Sequence, residues 1–199
     1  MGTSARLRRR HADGEIFQFR IELAGIHPPV WRRVAVSSRA SLHELHGVVQ
    51  HSLGREEADA YWFTIDGVRY HDPGEGDPGS HAASDAVALE VLELHPGAAI
   101  DHLAETYGEP WQHRLILEQA VPRRVGQRLP TCLAGGRAAP PDDCDGPTRY
   151  NALLDALMAP LDPRHAELRE WLPEDFDPEW MDLTAINARL AKVPRHRPG

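Results

Sequence analysis

Within the run Glu15–Leu23, EIFQFRIEL, apolar and polar residues alternate without a break from Phe17 to Leu23. Phe17, Phe19, Ile21 and Leu23 fall on one face of an extended chain, and Gln18, Arg20 and Glu22 on the other. A helix would scatter the same residues around its axis, so the segment is a strand with one buried face. That strand needs neighbours along its edges and a layer to cover its apolar side. Pro28 and Pro29 lack donors and interrupt the ladder, and VWRRVAV then resumes as a second strand, predicting a hairpin. Arg32 and Arg33 are adjacent there, so they point to opposite faces. One of them leaves solvent. It is expected to take a carboxylate partner, in a structural ion pair or an anion-recognition site.

The cover is legible next. Ser41-Leu42-His43-Glu44 is a capping box, and Leu42, Leu45, Val49 and Leu53 follow at helical spacing until Gly54. Asp66-Gly67 between two apolar runs predicts a tight hairpin turn. VALEVLEL reads equally as strand or short helix. Ile100–Glu105 and Gln112–Gln119 read as a further hairpin, residues 120–147 as irregular, and about 148–158, 163–172 and 182–192 as helices. Asp162-Pro163 and Asp182 are placed to start the last two. The expectation is an α+β fold: a mainly antiparallel sheet with a ββαββ, β-grasp-like start, an extra hairpin and C-terminal helices. Residues 1–14 read as a disordered basic arm, 15–192 as a single domain that is helical from about 148, and 193–199 as a tail.

The formal charge of −8 is unevenly spread. Arg6, Arg8, Arg9 and Arg10 lie in the first eleven residues, and Lys192, Arg195 and Arg197 in the last eight. Between Asp13 and Asp182 stand all 30 acidic residues against 14 arginines, a body near −16. Ala138 to Asp182 alone holds 12 acids against three arginines, a local −9. Affinity for nucleic acid rests on cations neutralising phosphates, so the body is a poor DNA binder and only the N-terminal arginine arm could serve. No apolar stretch is long enough to span a membrane, and no apolar segment follows the first arginines as in a secretory signal. A cytoplasmic location is expected. Cys132 and Cys144 are then expected as reduced thiols; their spacing is not that of a zinc knuckle, and the alternative is a structural zinc for which histidines add the missing ligands.

Several groups could carry chemistry. His43 and His46 share a helix face and could chelate a metal, or be a plain histidine pair. Glu109 and His113 could form an acid–base pair or two ligands beside Tyr107 and Trp111, or belong to a structural turn. Asp142 and Asp143 beside Cys144 could hold a hard cation, or serve a turn before the next helix. Arg32, Arg33, Tyr107 and Trp111 are candidates for a binding surface. There is no Walker loop, dinucleotide-binding glycine motif, nucleophile elbow or zincin helix, and no cofactor is expected.

Five stretches, IELAGIHPPVWRRVAV, SLHELHGVVQHSLG, YGEPWQH, CLAGGRAAPPDDCDGPTRY and FDPEWMDLTAINARL, together resemble the plasmid pRiA4b Orf-three-like family, also labelled insertion-element passenger proteins of the TnpR type. The resemblance runs from about residue 15 to 192. It implies an α+β fold and a bacterial mobile-element setting, and no established reaction. Members usually carry His-Leu-His where this chain has Asp59, Ala60 and Tyr61, and Asp-Phe-Gly-Asp-Gly-Trp where it has Thr106 to Trp111. The expectation is a non-catalytic accessory or protein-interaction module with an unidentified protein partner. The alternatives are a metal-dependent hydrolase or nuclease, and a DNA-binding accessory protein acting through its arm.

Overall fold

The protein is seen in a computed structural model that describes residues 14–55, 60–72, 82–106, 108–174 and 176–194. The opening hairpin is β1 (Glu15–Leu23) and β2 (Trp31–Ser37), with Phe19 opposite Val34. Helix α1 (Leu42–Ser52) follows, and the Ser41 hydroxyl accepts the Glu44 N–H at 3.0 Å, as the capping box requires. β3 (Ala60–Ile65) and β4 (Val68–His71) meet through Asp66-Gly67, at φ 49° and 79°. A two-residue strand, β5 (Ala82–Ala83), pairs parallel with β4. VALEVLEL contains a 3-10 turn, Leu89–Val91. β6 (Ala99–Glu105) and β7 (Trp111–Pro122) form the second long hairpin.

Among the described residues, eight strands form one sheet in the order β5-β4-β3-β6-β7-β1-β2-β8, where β8 is Thr131–Gly136. Apart from β4–β5, all neighbours are antiparallel. The ββαββ order is present. The two hairpins of that unit do not meet, because β6 and β7 lie between them, so the sheet is wider than a grasp alone would make.

β8 corrects the irregular reading of 120–147. TCLAGG has no alternation to reveal it, because its glycines serve close approach. A Cβ on Gly135 would stand 2.7 Å from the Trp31 carbonyl, and one on Gly136 2.7 Å from Trp31 Nε1. The free edge of β8 is closed by a side chain: Asn187 Oδ1 accepts the Cys132 N–H at 2.8 Å, and Asn187 Nδ2 donates to the Cys132 carbonyl at 3.1 Å.

The C-terminal helices are α2 (Gly146–Met158), α3 (Arg164–Trp171) and α4 (Leu183–Leu190). Asp182 caps α4 by accepting from the N–H groups of Thr184 and Ala185. Phe17, Phe19, Ile21 and Leu23 are all buried, as the alternation demands, in one core with Leu45 and Val49 of α1, Leu115 and Leu117 of β7, and Ile186 and Leu190 of α4. Among the described residues no helix is long and apolar enough to cross a membrane.

Candidate functional site

The alternation that buries Leu115 and Leu117 also buries Trp111 and His113, four and two residues before Leu115 on the same face of β7. In β6 the buried positions are Ile100, His102 and Ala104. Register sets His102 directly opposite His113. On α1, His46 lies next to Leu45 and three residues before Val49, on the buried face. Three histidines from three elements therefore converge under the helix.

They form a chain of imidazoles. Nδ1 of His46 is 2.9 Å from Nε2 of His102, and Nδ1 of His102 is 3.0 Å from Nδ1 of His113. Each contact needs one N–H and one lone pair, and a neutral imidazole has one of each, so three neutral rings satisfy both contacts. Burial pushes His46 and His113 down to about 3 and His102 well below its ordinary value. The charge of Arg55 further opposes protonation of His113. Two directions satisfy the chain: in one, His113 Nδ1–H donates to His102 and His102 Nε2–H donates to His46, leaving a lone pair on Nε2 of His113; in the other, every donor and acceptor is exchanged.

At the α1 end, the Tyr61 ring stacks on His46 with centroids 3.6 Å apart. Its hydroxyl bonds His43 Nδ1 at 2.6 Å and Ser84 Oγ at 2.6 Å, and burial raises its pKa. His43 and His46 thus share a helix face but bind different partners. Tyr61 stands where the resemblance places the second histidine of a triplet, and here that position holds a stacking ring.

At the other end, Arg55 lies over Trp111, 4.4 Å from the ring centroid, with Nη2 3.5 Å from the Cys144 carbonyl. Glu109 does not join His113. Its Oε2 accepts the Thr148 N–H at 3.1 Å, in the first turn of α2, where a carboxylate is favoured by the helix dipole. Positive-φ glycines bring the two loops together: a Cβ on Gly146 would stand 2.9 Å from the Glu109 carbonyl oxygen. Asp145 pairs with Arg149 at 3.1 Å.

The remaining candidates are dispersed. Asp142 and Asp143 are exposed beside buried Cys144. Cys132 and Cys144 are free thiols, both raised in pKa by burial, Cys144 to about 11. Arg33 makes a two-pronged ion pair with Glu118, with Nη2 2.9 Å from Oε1. Arg32 is the inward arginine, and the expected carboxylate partner is corrected: it donates to the carbonyls of Ser52 (3.1 Å), Trp31 (2.8 Å) and Gly136 (3.0 Å). Ser52 ends α1, so the charge meets the negative end of a helix dipole. Burial lowers the Arg32 pKa to about 10. Tyr107, Asp59 and the arm residues Arg6, Arg8, Arg9 and Arg10 lie outside the described residues. Among the described residues, no three His, Cys, Asp or Glu side chains are grouped to hold a metal ion.

A second feature lies on the helical end. A groove of about 300 Å³ runs between α2 and α3, floored by Leu153, Leu168 and Trp171 and edged by Arg149, Arg164 and Glu167. Met158, Leu161, Trp171, Trp180 and Leu183 are exposed apolar side chains in the same stretch of chain.

His102, Arg55 and Ser84 were not legible as site residues in sequence. His102 had one available signal, its inward slot between Ile100 and Ala104, and nothing short of the strand register connects it to His113.

Comparisons with known proteins agree with this architecture and carry no reaction. The chain is 28% identical over 173 residues to the uncharacterized protein y4hQ of Sinorhizobium fredii (strain NBRC 101917 / NGR234), which spans 86% of this chain and 89% of that one. It is similar to the crystal structure of a protein of unknown function, MM3350 from Methanosarcina mazei Go1, with a TM-score of 0.75 and 26% identity, covering 85% of this chain and 96% of that one. The sequence profile described as plasmid pRiA4b ORF-3-like protein matches residues 15–185, and the chain belongs to that family.

Proposed function

We propose that the protein is a non-catalytic interaction module, an accessory protein of a bacterial plasmid or insertion element acting in the cytoplasm. It engages a protein partner through its C-terminal helices. The observation that carries this reading is the collection of exposed apolar side chains from Met158 to Leu183, with Leu161 98% and Trp180 66% exposed. Exposed apolar side chains that gather into a patch mark recognition surfaces, and tryptophan is prominent among residues that anchor partners. They sit in the segment of local charge −9, so the complementary partner is a basic segment with apolar anchors. The family description names a plasmid reading frame, which supports the accessory setting. A hydrolytic reading draws less support, because Glu109 and His113 are each engaged elsewhere.

The test is affinity purification from the native host of wild type beside a Leu161→Ser/Trp171→Ala double variant. The expected result is a stoichiometric protein retained by wild type, released by salt, and lost in the double variant. Recovery of the same proteins with both forms contradicts the reading.

A further inference from the structure

Three polar groups are short of partners where the end of α1 meets the start of β7. Trp111 is fully buried, and its indole Nε1–H has no acceptor among the described residues. His113, two residues on and on the same face, is 2% exposed, and its Nε2 has no partner among the described residues. Arg55 is 9% exposed and lies over the Trp111 ring, and its charge acts on His113. Among the described residues its hydrogen bonding is a single long contact, 3.5 Å to the Cys144 carbonyl. A guanidinium has five N–H donors. Buried donors without acceptors are rare in folded proteins, and each one calls for an explanation.

The three groups have a common need. Arg55 and Trp111 can only donate. Nε2 of His113 becomes a donor when the imidazole chain runs in its other direction, with His46 Nδ1–H donating to His102 Nε2 and His102 Nδ1–H donating to His113 Nδ1. That reversal keeps both N···N contacts and leaves the three rings neutral. A proton enters at Nε2 of His113, one leaves His46, and solvent supplies and takes them. Among the described residues, the acids that act on Arg55 through space are Asp142 and Asp145. Asp145 is already paired with Arg149.

We propose that Arg55, Trp111 and His113 form a buried receptor for a small monovalent anion, a halide or the carboxylate of a small acid. Trp111 Nε1–H and His113 Nε2–H donate to the anion, and Arg55 donates to it and balances its charge. The imidazole chain is then the device that lets His113 present Nε2 as a lone pair or as a donor while the rings stay neutral. This site lies apart from the C-terminal groove, and the proposal stands whether or not the interaction reading holds.

The test is a titration of the full chain with sodium chloride and with sodium formate, each against sodium gluconate at equal ionic strength. Thermal unfolding and the indole ¹H–¹⁵N signals are followed together. The expected result is a saturable rise in Tm and a saturable shift of one indole signal with chloride, formate or both. That signal is the one missing in Trp111→Phe, a change that keeps a ring under Arg55 and removes the donor. The anion concentration for half effect should rise at least tenfold in Trp111→Phe and in Arg55→Gln, the latter serving if the former does not fold. Response to chloride alone identifies a halide site, and response to formate alone a carboxylate site. No difference from gluconate, or equal responses in wild type and both variants, overturns the proposal.

Discussion

The layer under α1 and the helical end of the chain handle charge in opposite ways. Under α1, His46, His102 and His113 are buried, and burial holds them neutral. Arg32, also buried, is met by carbonyl oxygens and a helix end. At the starts of α2 and α3 the charged groups reach solvent, as in the exposed pair Arg149–Asp145 and in Arg164–Asp162, whose arginine is exposed and whose carboxylate is half-buried. Burial converts titratable groups into hydrogen-bonding elements whose protonation is coupled to folding. Exposure leaves them as a screened field suited to meeting a partner. The first region should therefore set how stability depends on pH, and the second how the protein binds.

The largest expected effect is acid loss of stability. The histidines have lowered pKa values in the folded state, so below the ordinary value the unfolded chain binds more protons. Their contribution is complete above about 6.5 and is lost as pH falls toward about 3. Each neutral histidine adds a slope of up to about 1.4 kcal/mol per pH unit in that window. Urea unfolding midpoints from pH 7 to 4 should fall steeply, and a flat profile would erase the contrast between the regions.

Arg32→Met should come next, at about 2–4 kcal/mol. It leaves the Ser52 and Gly136 carbonyls without their buried donor, and chemical denaturation measures it. A change below about 1 kcal/mol would mean that water can replace the guanidinium. Ser41→Ala should cost about 1 kcal/mol by removing the bond to the Glu44 N–H at the start of α1. Leu161→Ser, in the helical end, should shift stability by no more than about 0.5 kcal/mol while weakening partner capture. A larger loss would show that this leucine supports the fold rather than a partner.

What could be read from sequence divides along physical lines. Local rules operated where the residues themselves carry the signal: the alternation of β1, the Ser41 cap, the Asp66-Gly67 turn and the Asp182 cap all stand in the structure. β8 escaped because its glycines answer to Trp31 across the sheet, a contact 104 residues away in the case of Arg32 and Gly136. The site escaped for the same reason. His46 and His113 were visible singly, but the ring joining them is His102, 56 residues from the first and 11 from the second. The partner of the inward arginine was misjudged because sequence shows carboxylates and hides carbonyls. Helix ends and strand edges supply acceptors to a buried cation without any acidic residue.

The most direct test of the buried imidazole chain is a ¹⁵N NMR titration of the histidine rings in the folded protein, from pH 8 down to the onset of unfolding. Signals removed one at a time by His46→Gln, His102→Gln and His113→Gln identify the three rings. The account predicts that all three stay neutral through about pH 5, each with one protonated nitrogen, and with couplings across the two short N···N contacts. Protonation of any of the three near pH 6.5 in the folded protein would contradict it.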